Sequence, residues 1–207
     1  MHKDMLVIDN FYENPDNVRN FAIKLKPEDW LDNGLKYETK KCYFSESITR
    51  QFEQLIGSKL DADPRTMGYG AFTFFPDRGV EKFTHYDDNE WVGIVYLIPN
   101  ELCEGVGLTF CRHKESGLMG PPNDLWLRDN SYQSFEDWYT KVYVPDKPCI
   151  EKWEETMYIP VKYNRLVLFR GGRMFHRASK GFGNNAENGR LTQSFFFEVK
   201  KESIEIT

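Results

Sequence analysis

Four histidines occur in the chain, His2, His85, His113 and His176, and His85 has the neighbour that matters most for chemistry. It opens His85-Tyr86-Asp87 at the end of a predicted strand. Residues i and i+2 of a strand point to one face, so an imidazole and a carboxylate can reach a common point. Asp88 would point the other way, which favours Asp87. His176 follows 91 residues later, just past a predicted strand and the Gly171-Gly172 turn. Two imidazoles and one carboxylate on one side of a metal make the facial triad of non-haem Fe(II) oxygenases, which leaves positions open for reactants. The same donors hold catalytic zinc, and His85 and His176 also read as ordinary hydrogen-bonded histidines, so the residues alone leave these alternatives open. His113 is the weaker candidate for a ligand, because His176 has the better context.

A second group could bind a carboxylate. Arg190 comes 14 residues after His176 and opens Arg190-Leu191-Thr192 at the start of a predicted final strand. With a period of two, Arg190 and Thr192 share a face. A guanidinium takes a carboxylate through two parallel bonds, and a hydroxyl adds another. Tyr96, nine residues after Asp87 in an apolar stretch, could bring its own hydroxyl to that carboxylate.

These residues need a scaffold of strands. Segments 70–75, 80–86, 91–98 and 107–111 read as strands with turn residues between them, and so do 157–159, 164–169, 175–179 and 191–199. Short strands at such intervals predict a β-sandwich or barrel. Ahead of them, residues 5–8 read as a strand. Asn14-Pro15 starts an amphipathic helix carrying Val18, Phe21, Ala22 and Leu25, which ends before Pro27. A second helix is expected from about Ser45 to Lys59, with Ile48, Phe52, Leu55 and Ile56 on one face. The expected organisation is a single domain, with 1–67 as an N-terminal strand and helical layer and 68–199 as the β core.

Residues 113–133 break the rhythm with Gly117, Gly120 and Pro121-Pro122, and read as a binding loop or as a surface insertion. Trp91, Arg112, His113, Lys114, Trp126 and Arg128 are the candidate substrate contacts. Arg112-His113-Lys114 could attract an anionic substrate. After this stretch Ser134 and Asp137 form a capping-box pattern for a short helix carrying Phe135, Trp138 and Val142.

Composition excludes several classes. The chain has 207 residues, 27 basic and 32 acidic, for a net charge of −5. That balance argues against a nucleic-acid binder. No apolar run approaches the roughly 20 residues of a membrane span, and the start of the chain has no signal-peptide pattern. Cys42, Cys103, Cys111 and Cys149 form no C-x-x-C pair, which excludes a zinc ribbon and a thioredoxin motif, and they read as reduced thiols of the cytoplasm. With 16 Phe, 11 Tyr and 5 Trp, the chain is rich in the residues of strands and large cores.

The ordered motifs resemble the prolyl-hydroxylase-like 2-oxoglutarate- and Fe(II)-dependent oxygenases. They are His85-x-Asp87, Val95-Tyr96-Leu97, Gly105 to Phe110, Arg165 to Phe169 leading to His176, and then Arg190. More narrowly, Tyr163-Asn164-Arg165-Leu166, Phe175-His176 and the run from Arg190 to Phe196 resemble an uncharacterised bacterial and phage group of oxygenases in that superfamily. The resemblance covers about residues 68–199 and implies a double-stranded β-helix, that is, a distorted, cupin-like jelly roll. It implies His85, Asp87 and His176 as iron ligands, Arg190 and Tyr96 as partners of the distal carboxylate of 2-oxoglutarate, and Thr192 as a lesser one. Many members have a tyrosine about ten residues before the first histidine ligand, where this chain has Phe75, which cannot donate a hydrogen bond. The implied activity is that of a dioxygenase. Fe(II), 2-oxoglutarate and O2 would oxidise a C–H bond of a small molecule or peptide and release succinate and CO2. Asp87 argues for hydroxylation over halogenation, since Gly or Ala there would open a halide position. The alternatives from other classes are a jelly-roll binding module without catalysis and a cupin-like zinc hydrolase.

Overall fold

Each β-strand is short because turn residues interrupt the apolar runs about every ten residues, so the chain can bury them only by stacking two sheets. A computed structural model describes residues 4–63, 67–78, 83–103 and 105–200. Its strands are β1 (Met5–Ile8), β2 (Trp30–Asp32), β3 (Tyr37–Thr39), β4 (Leu60–Asp61), β5 (Ala71–Phe75), β6 (Trp91–Tyr96), β7 (Gly107–His113), β8 (Trp153–Pro160), β9 (Leu166–Phe169), β10 (His176–Ala178) and β11 (Arg190–Val199). The helices used below are α1 (Pro15–Ile23), α2 (Glu46–Ile56), α3 (Asp124–Asp129) and α4 (Phe135–Trp138).

The large sheet runs β1-β9-β6-β11-β5-β3-β2, with β4 also paired to β11, and the small sheet runs β10-β7-β8. An isolated antiparallel bridge joins His85 to His176 at the free edge of β10. From β5 onward the chain passes from the large sheet to this bridge, back to β6, across to β7 and β8, back to β9, across to β10, and returns on β11. That winding between two antiparallel sheets is a double-stranded β-helix, a distorted jelly roll.

The large sheet is buried on both faces, and its residues alternate between them. On the outer face, Phe72 and Phe74 of β5, Val95 of β6, Leu166 and Leu168 of β9, and Leu191, Phe195 and Phe197 of β11 pack with Ala22 of α1 and Phe52 of α2. On the inner face, Val92 and Tyr96 of β6 and Val167 and Phe169 of β9 meet Leu108, Phe110 and Ile159 of the small sheet. The same alternation turns Thr73, Arg190, Thr192 and Ser194 inward. A third cluster of Cys111, Leu127, Trp138, Tyr143, Trp153 and Phe175 closes one end of the small sheet.

The helices follow their local signals. Ser45 caps α2 by accepting a hydrogen bond from the Ile48 N–H at 3.3 Å, and Gly57 ends it with φ of 74°. Asn14 precedes α1 but its side chain makes no cap bond. Ser134 accepts from the Asp137 N–H at 3.1 Å, and Trp138 is buried as expected, whereas Phe135 is 39% exposed. Phe52 is fully buried, 5.0 Å from Phe195 and 5.5 Å from Phe197 by ring centroid, and its ring lies where a side chain at Gly93 would be. Phe52→Ala is expected to cost about 3–5 kcal/mol, read as a lower urea midpoint.

Two departures matter for the site. β2 and β3 form a hairpin that the sequence pattern did not predict, because strands of three residues have no measurable periodicity. Of the predicted strand at 80–86, residues 80–82 lie outside the described residues, and the rest enters the sheet only at His85.

Candidate metal and carboxylate site

His85 and His176 face each other because their backbones exchange both hydrogen bonds of the bridge, at 2.8 and 2.7 Å, which brings the ring centroids to 4.4 Å. Each ring is oriented by the same local contact. His85 Nδ1 lies 3.1 Å from the Phe83 carbonyl and His176 Nδ1 lies 2.8 Å from the Met174 carbonyl. A carbonyl only accepts, so each Nδ1 carries a proton and each Nε2 is the ring atom that faces Asp87. The same orientation is found behind metal-bound histidines.

Asp87 stands between these two Nε2 atoms. Its N–H donates to the Gly171 carbonyl at 3.0 Å, and its carboxylate oxygens lie 3.2 Å from His176 Nε2 and 3.8 Å from His85 Nε2. The donor atoms of the three residues all fall within 4.8 Å of one another. Asp87 Oδ2 is buried and has no hydrogen-bond partner among the described residues. Removal from water and the neighbouring His176 push the His85 imidazole down to about 4, so it is neutral at neutral pH. Burial alone would raise the Asp87 carboxyl, but the facing imidazoles hold it below its usual range, so it is ionised. Two imidazole nitrogens and a carboxylate converging within 4.8 Å are a donor set that fits a divalent cation.

Gly171 holds this geometry. A side-chain carbon there would fall 2.6 Å from Asp87 Oδ2 and 2.5 Å from Val92 Cγ2, so only glycine lets the 170–172 turn close on Asp87. Sequence reasoning identified Gly171-Gly172 as a turn and missed this role.

Farther along the same inner face lies Arg190, 2% exposed, with no carboxylate in ion-pair range among the described residues. Its guanidinium carbon sits 5.3 Å from the Phe75 ring centroid and 5.9 Å from that of Tyr96, and Nη2 reaches the Gly107 carbonyl only at 3.4 Å. Phe75 therefore offers a ring face to the cation in place of a hydroxyl. Arg190 Nε and the Tyr96 hydroxyl are both buried without a hydrogen-bond partner among the described residues. Burial raises the Tyr96 hydroxyl, so it remains a donor, and burial lowers Arg190, which still stays a cation. Thr192 bonds Thr73, hydroxyl to hydroxyl, at 2.7 Å across the β5–β11 pair. A cavity of about 370 Å³ joins the two groups, lined by His85, Asp87 and His176 and by Thr73, Phe75, Arg190 and Thr192. Tyr96 lies on that face behind the lining, with its hydroxyl beside the Arg190 guanidinium.

The expected substrate contacts do not line this cavity. Trp91 is buried on the outer face of β6, under Arg170 at 4.6 Å, since period two sets it opposite Val92. A bulge between Phe110 and Cys111 re-aims the end of β7. Arg112 consequently points outward to Glu154 at 2.9 Å, and Lys114 is exposed beyond it. His113 turns into the third cluster, 2.8 Å from Ser116 Oγ and 2.9 Å from Asp146 Oδ2. Trp126 stacks on Tyr132 with centroids 5.7 Å apart, and Arg128 is exposed at the end of α3. The stretch 113–133 packs over the end of the small sheet and is not a lid of the cavity. His113→Ala is expected to lower stability by about 1–3 kcal/mol and to leave metal affinity unchanged, which denaturant titration and metal titration would separate.

The mouth is lined instead by Asn33, Leu35 and Lys36 of the β2–β3 hairpin, by Phe83 and Tyr86, and by Lys147. The hairpin had one local signal, the Asn33-Gly34 dipeptide, with Gly34 at φ 87°. Lys147 had none.

No curated protein matches the chain in sequence. Among solved structures, the chain is similar in shape to HygX from Streptomyces hygroscopicus with nickel and 2-oxoglutarate bound, at 12% identity and a TM-score of 0.45, over 95% of this chain and 83% of HygX. It is similar to OsALKBH1 at 11% identity and a TM-score of 0.47, over 95% of this chain and 99% of that one. The HygX structure that also holds hygromycin B gives 10% identity and a TM-score of 0.45, with coverage of 95% and 83%. The match that spans the chain is that of a family model covering residues 1–197, and the chain belongs to that family, described as a family of unknown function, DUF6445.

Proposed function

We propose that this chain is a 2-oxoglutarate- and Fe(II)-dependent oxygenase that hydroxylates a small molecule or peptide. One observation carries the reading. A single cavity has three converging acceptors at one place and a buried guanidinium without a carboxylate at another. The first arrangement fits a cation and the second fits an organic anion, and 2-oxoglutarate is a ligand that spans both.

In this reading His85, Asp87 and His176 hold Fe(II) through two neutral imidazoles and one carboxylate, the donor set of the facial triad. Fe(II), 2-oxoglutarate and O2 together supply the oxidising power, with release of succinate and CO2. The chain's own residues bind and orient. Arg190 pairs with the distal carboxylate, Tyr96 donates its hydroxyl to it, and Thr192 borders it. Val92, Ile94, Leu108 and Phe196 line the remaining wall and exclude water. Asp87 as an ionised ligand favours hydroxylation. A zinc hydrolase would use the same triad but leave Arg190 buried without a partner.

The test needs no substrate. Fe(II) and 2-oxoglutarate are titrated anaerobically into metal-free protein, and the visible charge-transfer band of the chelate is followed in wild type and in His176→Ala. The expected result is a saturable band in wild type alone. Folded, iron-loaded protein without a band would sink the oxygenase reading.

A further inference from the structure

The charges lining the cavity are unusual for a chain of net charge −5. Among the described residues its cationic lining residues are Lys36, Lys147 and Arg190, and its carboxylate is Asp87. In a site loaded as proposed, charges cancel: the divalent cation and Arg190 against 2-oxoglutarate and Asp87. Lys36 is ion-paired with Glu38. Lys147 is left over. It is half-buried, has no carboxylate in ion-pair range among the described residues, and lies 5.7 Å over the Tyr143 ring.

The absence of a partner has a structural cause. The adjacent Asp146 is turned away, held by His113 at 2.9 Å and facing Lys152 at 3.7 Å. The Lys147 N–H donates to the Tyr143 carbonyl at 2.8 Å, so the helical segment that begins at α4 fixes its backbone at the cavity mouth. Beside it the lining is apolar and aromatic: Leu35, Phe83 and Tyr86.

We infer that the substrate is an organic anion, a carboxylate or phosphate on an apolar body, whose charged group is taken by Lys147 while the body lies against Leu35, Phe83 and Tyr86. The inference rests on the oxygenase reading and names the substrate class for that site. The cavity of about 370 Å³ also has to admit 2-oxoglutarate, so it receives only the reactive end of the substrate. The anionic preference that Arg112-His113-Lys114 suggested in the sequence is thus assigned to a different cation.

The experiment uses matched probes on the anaerobic Fe(II)·2-oxoglutarate protein, with the charge-transfer band as readout. Benzoate is compared with benzamide, hexanoate with hexanamide, and benzyl phosphate with benzyl alcohol, all at saturating 2-oxoglutarate. The expected result is that an anionic member shifts the band while its neutral partner does not, and that Lys147→Gln weakens that anion about tenfold, equivalent to about 1.4 kcal/mol. Lys147→Arg should restore most of the affinity. The carboxylate and phosphate arms identify which anion is preferred. Neutral partners binding equally well, an affinity unchanged in Lys147→Gln, or no shift with any probe would overturn the inference alone. Absence of the band in wild type would overturn the oxygenase reading and this inference together.

Discussion

Arg190→Met is expected to remove 2-oxoglutarate binding and at the same time to stabilise the ligand-free protein. The two effects have one cause. Arg190 is a buried cation with ring faces and a 3.4 Å carbonyl contact for company, and its Nε has no partner among the described residues. Without an anion, that burial is a net cost, and replacing a buried ion by an apolar side chain of similar volume typically gains about 1–4 kcal/mol. With an anion, the guanidinium supplies a two-pronged charge-assisted bond, and losing it costs about 2–5 kcal/mol, at least about a 30-fold rise in Kd. Thermal unfolding without ligand and calorimetric titration of 2-oxoglutarate into the Fe(II) protein check both halves. Metal affinity should be retained, since Arg190 is not among the three converging donors. A variant that loses stability while keeping 2-oxoglutarate affinity would mean that Arg190 serves the core.

The second large effect concerns the metal. Wild-type protein at a free Fe(II) concentration about 100 times Kd should gain about 2.7 kcal/mol of stability, which a chelator reverses. Asp87→Ala should abolish that gain, with an affinity loss exceeding the roughly 10–100-fold that even outer-shell changes produce. Without metal, the same variant should lose only a modest part of its stability, because the facing imidazoles favour the ionised carboxylate while its burial opposes it. It deletes a carboxylate whose Oδ2 is buried without a hydrogen-bond partner, and it leaves the Asp87 backbone bond to Gly171 in place. A metal-free Asp87→Ala that unfolds readily would identify Asp87 as a structural residue.

Much of this site was legible before the fold, and the legible part was local. The i, i+2 relation set His85 beside Asp87 and Arg190 beside Thr192, and alternation along β6 and β11 put Tyr96 on the face of Arg190. The caps at Ser45 and Ser134 and the αL end at Gly57 were also local, because a cap depends on the few residues around it. The candidate substrate residues do not line the cavity, for the complementary reason. A single bulge between Phe110 and Cys111 decides where Arg112 and His113 point, and no residue in that run announces it. Trp91 turns away from the cavity by parity, since the face that β6 presents to it is chosen by the packing of β11 and β9 on either side.

What the sequence by itself determined is the chemistry available: two histidines, an aspartate and an arginine in extended segments, with period-two spacing that directs each to a definite face. What only the tertiary structure decided is which distant segments meet. Winding between two sheets sets His176 against His85 across 91 residues, closes the Gly171 turn on Asp87, and brings the β2–β3 hairpin and Lys147 to the mouth of one cavity. The physical reason is range. Side-chain direction follows from backbone geometry over two or three residues, whereas the cavity exists only once both sheets have buried their inner faces against each other.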